Sequence, residues 1–280
     1  MKIPKYWAKG VYVSQDLQGR AARFSCWHWS DNSVADAAGR ADQRARQMAT
    51  TYLNGQRLNR YLYGDRPLRE EVIGPVSTGL SEVGLLTRNR YGAVVLNAAR
   101  AMFIDIDFKE QPKPPSLLGS LFGSKPATPE VAYLPAIEQW AQRYSGLGLR
   151  VYRTAAGLRC LVISDTFDPT HPSTLDMMRS LGSDPLYVTL CKQQESFRAR
   201  LTPKPWRCAA PQPPLYYPFE SPSAEARYRQ WEAEYQRATA NFAVCRLVAQ
   251  YGRGRVHPDV EPVLTLHDRY CGVQSNLALA

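Results

Sequence analysis

Between Phe103 and Phe108 the chain reads Phe-Ile-Asp-Ile-Asp-Phe, an apolar, strand-like run with aspartates at two alternate positions. Side chains at i and i+2 of a strand leave from the same face, so Asp105 and Asp107 are expected side by side. Two adjacent carboxylates repel each other unless a cation sits between them, and closely set oxygen ligands suit a hard divalent ion such as Mg²⁺. Aspartate is depleted in strands, so a pair on one face of an apolar strand needs a reason. Ile106, with Phe103, Ile104 and Phe108, predicts a central strand buried on its other face. The alternative is an edge strand carrying two exposed aspartates.

The surrounding pattern predicts an α+β fold, an antiparallel sheet backed by helices. Trp7 to Val13 and Ala22 to Trp29 are rich in aromatic and β-branched residues and read as a strand pair, with a polar turn at Asp16 to Gly19. A helix capped by Ser30, Asp31 or Asn32 is expected from Ser33 to about Tyr61, with Arg40, Arg44 and Arg46 on its outer face. Short strands follow at Leu68 to Ile73 and Gly92 to Asn97. The Pro-, Gly- and Ser-rich stretch after Phe108 predicts a long functional loop, closed by a helix from Pro129 to about Tyr144. Strands at Leu149 to Arg153 and Leu158 to Ser164 form a hairpin around Thr154 to Gly157. A helix at Pro172 to Leu181 precedes strands at Leu186 to Leu190 and Phe197 to Leu201. A Pro-rich linker then leads to a C-terminal helical extension, Ala224 to Tyr251, whose Arg and Glu residues alternate as on a salt-bridged face.

Lys and Arg number 35 against 25 Asp and Glu, a net charge of +10. Of those cations 27 are arginine, whose planar fork suits phosphate, so a polyanionic partner is expected. No apolar run approaches the length of a membrane span or of a signal peptide, which predicts a cytoplasmic protein without a membrane partner. The six cysteines include no Cys-x-x-Cys pair, which excludes a zinc ribbon, and buried unpaired thiols are the expectation. Cys26 with His28, or Cys271 with His267, supplies half of a metal site, and nothing local completes either.

A two-metal centre needs a third carboxylate, for which Asp184 and Asp165 are the candidates, each beside a predicted strand. From Arg198 to Arg207 the chain concentrates cations, and Arg198, Arg200 and Lys204 are placed to line a phosphate pocket; a basic surface strand is the alternative. Upstream, Arg88 and Arg90 reach towards a template or phosphate and Tyr91 towards a base, with ordinary turn chemistry around Asn89 as the competing reading.

The order of these features resembles the archaeo-eukaryotic primase superfamily, and within it the primase-polymerase branch, as a divergent member of bacterial or phage type. Asp105 and Asp107 match its first motif, and Asp184 with Tyr187, Phe197-Arg198 and Lys204 is similar to its third. The second motif departs: Arg159, after Thr154-Ala155-Ala156-Gly157-Leu158, stands where the family has a histidine that contacts the incoming nucleotide. A guanidinium binds triphosphate but does not titrate near neutral pH. The match covers roughly Ala93 to Arg207.

The resemblance implies a palm-like, RRM-like core at 93–210, an N-terminal α/β part of the same unit at 1–92 and a linker with a helix at 211–280. It implies a nucleotidyltransferase in which Asp105, Asp107 and Asp184 hold Mg²⁺ or Mn²⁺. Thr154, Arg159, Arg198, Arg200 and Lys204 would bind the nucleotide, and Arg88, Arg90, Tyr91 and Arg207 the nucleic acid. Implied partners are a single-stranded DNA or RNA template, nucleoside triphosphates and a helicase or other replication or mobile-element protein. The competing functions are an inactive nucleotide- or nucleic-acid-binding protein with the same fold, and a metal-dependent nuclease.

Overall fold

The computed structural model describes residues 1–15, 18–58, 67–79, 81–109 and 129–280. At the N-terminus β1 (Tyr6–Gln15) pairs antiparallel with β2 (Ala21–Ser30), and α1 (Val34–Leu53) packs across the pair. Ser33 opens α1 by accepting the Asp36 N–H. The buried stripe of α1 is Ala37, Ala41, Ala45 and Ala49, one residue per turn on one face, which brings the helix backbone close to the hairpin. Gly10 marks the closest approach: a Cβ there would fall 2.2 Å from the carbonyl carbon of Ala41. Gly10→Ala is therefore expected to destabilise the chain by about 1–3 kcal/mol, read as a lower urea midpoint.

Beyond this unit come β3 (Glu71–Thr78), β4 (Ser81–Arg88), β5 (Val94–Ala98), β6 (Phe103–Asp107) and α2 (Leu134–Arg143). The hairpin of β7 (Gly148–Thr154) and β8 (Gly157–Val162) follows, then α3 (Pro172–Ser180), α4 (Pro185–Gln194) and β9 (Phe197–Arg200). The C-terminal part holds α5 (Pro222–Thr239), β10 (Phe242–Ala243), β11 (Cys245–Gly252), α6 (Glu261–Tyr270) and β12 (Ala278–Leu279). Two four-stranded antiparallel sheets form the frame, in the orders β11-β7-β8-β6 and β3-β4-β5-β9. One continuous apolar core joins them, with β8 buried along its whole length. The fold is thus α+β with antiparallel sheets and helices, and no helix among the described residues is long and apolar enough to cross a membrane.

Several elements differ from expectation. Leu186 to Leu190 is not a strand but part of α4: its β-branched and aromatic residues suggest extended chain, yet Asp184-Pro185 is a cap followed by a first-turn proline. Burial at Tyr187, Val188, Cys191 and Gln194 follows the helical period. The helix expected to reach Tyr251 ends at Thr239, and Cys245 to Gly252 returns as β11 to extend the first sheet beside β7. β4 was not foreseen, α1 stops at Leu53, and β3 runs on to Thr78 instead of ending at Ile73. The turn at Asp16 and the loop after Lys109 lie outside the described residues.

Candidate active site

Among the described residues the Asp-bearing strand β6 is an edge strand, paired only with β8. Its free edge is covered instead of exposed. The Asp184 N–H donates to the Asp105 carbonyl at 3.0 Å, and the Ser183 hydroxyl reaches the same oxygen at 3.3 Å. The Tyr187 hydroxyl lies 2.9 Å from the Arg198 carbonyl of β9 and 3.3 Å from the Phe103 carbonyl, tying the edges of the two sheets together. Covering the edge of β6 is what carries Asp184 to Asp105, 79 positions earlier in the chain. Asp165 instead accepts the N–H of Thr166 beyond the far end of β8, where Leu161 already stands opposite Phe103.

Asp105, Asp107 and Asp184 are within electrostatic reach of one another. Partial burial raises the Asp107 carboxyl above its ordinary range, and the charges of Asp184 and Asp105 push it further, while Lys204 and Arg207 pull it down. Among the described residues the three carboxylates do not all approach within 4.8 Å, a closeness reached only by a Cys/His cluster elsewhere. Asp107 is exposed, Asp184 also accepts the N–H of Leu186 as the cap of α4, and Asp105 is tied to Arg159 at 3.1 Å.

Arg159 does not stand open to solvent on its hairpin. It is 2% exposed, lies opposite Asp105 in the β6–β8 register, and donates to the Arg200 carbonyl at 2.9 Å. Burial alone would weaken its charge, and the Asp105 carboxylate, together with the nearby Cys271 and Cys245, more than offsets this. Thr154 is likewise occupied, its hydroxyl accepting the Gly157 N–H across the turn at 3.1 Å.

Asp105 also lines a cleft of about 470 Å³ with Arg69, Arg88, Arg90, Tyr91, Arg198 and Arg200 among its walls. These arginines are not equivalent. Arg198 is buried, with its fork on Glu70 at 2.8 and 3.0 Å and on Asn97; Thr87 completes the network by donating to Glu70 at 2.6 Å. Arg88 is buried between Glu71 and Glu232 and donates to the Gly92 carbonyl. Both are wall, their charge already matched. Asn89 forms the turn anticipated as the alternative, its side chain accepting the N–H of Tyr91 and of Ala93.

Arg200, Lys204 and Arg207 differ, since no carboxylate among the described residues pairs with any of them. Burial, with Arg159 and Arg207 nearby, lowers Arg200 to about 10, and its buried Nε has no partner among the described residues. Lys204 is lowered by burial and by the repulsion of Arg200 and Arg207. Arg200, Lys204 and Arg207 thus concentrate positive charge beside Asp105 and Asp107, a repulsion that an anion would relieve. An aromatic rim adjoins them: Tyr91 meets Trp206 edge-on at 5.1 Å, Lys204 lies 5.3 Å over Trp206, and Arg90 lies 5.0 Å over Tyr216.

Sequence reasoning missed Glu70, Glu71 and Glu232, which neutralise two of the candidate arginines. No local signal identifies them, because each partner is distant in the chain. No protein-family model matches the chain, and no curated protein or solved structure matches it significantly.

Proposed function

We propose that the protein is a metal-dependent nucleotidyltransferase of primase-polymerase type, acting on nucleoside triphosphates and single-stranded nucleic acid. The observation that carries the reading is the approach of three aspartates from β6 and the start of α4 to Arg200, Lys204 and Arg207, cations without a carboxylate partner among the described residues. Order of motifs adds to it, and on this reading the first sheet and its helices are a primase-like core.

The aspartates suit hard divalent ions by their oxygen donors and by the repulsion on Asp107, which a cation relieves. Asp105, Asp107 and Asp184 would hold Mg²⁺ or Mn²⁺, which when bound neutralises phosphate charge and lowers the pKa of an attacking hydroxyl. Asp107 is exposed, so the rotamer change needed for its carboxylate to join the other two on an ion is open to it. Arg200 and Lys204 bind the triphosphate and stabilise the negative charge leaving on the pyrophosphate. Arg207, Arg90 and the Tyr91–Trp206 rim take the nucleic-acid strand by charge and stacking. Arg159 acts from behind, fixing the orientation of Asp105, and Arg198 and Arg88 hold the walls. Catalysis is then positioning and charge stabilisation, without a side-chain nucleophile.

The test is incorporation of labelled ribo- and deoxyribonucleotides on primed and unprimed single-stranded templates with Mn²⁺ or Mg²⁺. Metal-dependent extension is expected, with Arg200→Ala raising the nucleotide KM at least tenfold through loss of a charge-assisted contact worth about 1.5–3 kcal/mol. Strand shortening without nucleotide would make the protein a nuclease. The ion pair between Asp105 and Arg159 favours a second reading, an inactive binding protein, because it occupies the first carboxylate. Salt-sensitive binding of nucleic acid with no incorporation under any metal would establish that reading instead.

A further inference from the structure

Three ligand-bearing side chains outside this chemistry meet on the face of the first sheet that carries Arg159. They are Cys245 of β11, His267 of α6 and Cys271, the residue that ends α6, all fully buried. One donor atom from each lies within 4.8 Å of the other two. The sequence shows only His267 and Cys271, one helical turn apart; the third ligand arrives because β11 extends the sheet.

The geometry around His267 is that of a ligand. Its Nδ1 is 2.9 Å from Asp268 Oδ1, and the Arg150 guanidinium holds the same carboxyl group at 2.8 Å. With the Nδ1 proton donated to Asp268, the lone pair lies on Nε2, 3.8 Å from Cys245 Sγ and 3.4 Å from an Arg159 guanidinium nitrogen, a contact that a bound ion would replace. A carboxylate orienting a ligating imidazole in this way is the usual outer shell of a metal site. Sulfur and nitrogen bound tetrahedrally to one zinc ion stand about 3.5 Å apart, so little contraction is required. The Arg200 carbonyl, 3.9 Å from Cys271 Sγ, brings an oxygen donor to the rim. The other buried cysteines, Cys160, Cys191 and Cys208, join no such cluster among the described residues and are ordinary core thiols.

We propose that Cys245, His267 and Cys271 bind a thiophilic d¹⁰ cation, Zn²⁺, as a structural metal that pins α6 to β11. Binding deprotonates both thiols, and the two protons leave to solvent. The ion would stiffen the wall behind the candidate active site: the ring of His267 packs against Phe103 of β6 and Tyr152 of β7, and Arg159, beside that ring, holds Asp105. The inference does not depend on the nucleotidyltransferase reading.

Zinc measured by elemental analysis on the untagged, full-length chain is expected at about one equivalent, released by a mercurial that blocks thiols. Co²⁺ in place of zinc should give a strong near-ultraviolet thiolate-to-cobalt band, lost in Cys245→Ser and kept in Cys26→Ser. If Cys245→Ser does not fold, the Co²⁺ titration of the unaltered chain decides. A folded chain with zinc far below one equivalent and no cobalt–thiolate band overturns the proposal. So does an intact mass showing Cys245 and Cys271 joined as a disulfide.

Discussion

Glu70→Ala is expected to destabilise the chain by about 3–5 kcal/mol, because it removes the counter-charge of a buried guanidinium. Arg198 and Glu70 are 7% and 6% exposed, and the Glu70 carboxylate accepts from both Arg198 and Thr87. After the change, Arg198 keeps only Asn97, while the Thr87 hydroxyl loses its acceptor. Urea denaturation reads the loss directly, and the double variant Glu70→Met, Arg198→Met should lose less than Glu70→Ala, since replacing a buried pair together removes its desolvation cost. A cost below about 1 kcal/mol for Glu70→Ala would mean that Arg198 is not committed to Glu70. Arg198 would then rejoin Arg200 and Lys204 as a phosphate ligand.

Asp107→Ala is expected to reduce nucleotide incorporation by about a thousandfold or more, a loss of roughly 4 kcal/mol of transition-state stabilisation, without weakening the fold. The separation follows from its surroundings. Asp105 is bound to a buried arginine and Asp184 caps a helix, so removing either disturbs structure as well as chemistry. Asp107 is exposed, and its carboxyl is raised by burial and by its acidic neighbours. A carboxylate whose folded pKa exceeds its unfolded value costs stability above the folded pKa and nothing below the unfolded one. Its removal at neutral pH should therefore leave the urea midpoint unchanged or raise stability by a few tenths of a kcal/mol, the gain being small because water screens the repulsion. Apparent Mn²⁺ affinity should rise with pH as Asp107 deprotonates, and then level off. Full incorporation by Asp107→Ala would remove this residue from the site.

The Asp-bearing strand and the β7–β8 hairpin were legible because they are local. Alternation in Phe103 to Phe108 sets the face of Asp105 and Asp107, and the tight Thr154 to Gly157 turn sets the β7–β8 hairpin that pairs with them. Asp184 was also singled out as the third carboxylate of the proposed site, although the segment after it, expected as a strand, is a helix. Propensity favoured extended chain at Leu-Tyr-Val-Thr-Leu, while the Asp-Pro start and tertiary packing chose the helix. That error matters to the site, because an α4 N-terminus, with its free N–H groups, is what seals the edge of β6 and seats Asp184.

What the sequence determined by itself is the alternation, the turn and the surplus of arginine, all properties of neighbouring residues. It could not say which arginines are free. Arg88, Arg159 and Arg198 look like Arg200 in the written chain, yet each is neutralised by a carboxylate brought from elsewhere, and among the described residues Arg200 is not. The joining of Cys245 to His267 and Cys271 is of the same kind. Charge pairing and ligand sets form between residues far apart along the chain, so only the packing of sheets and helices decides them.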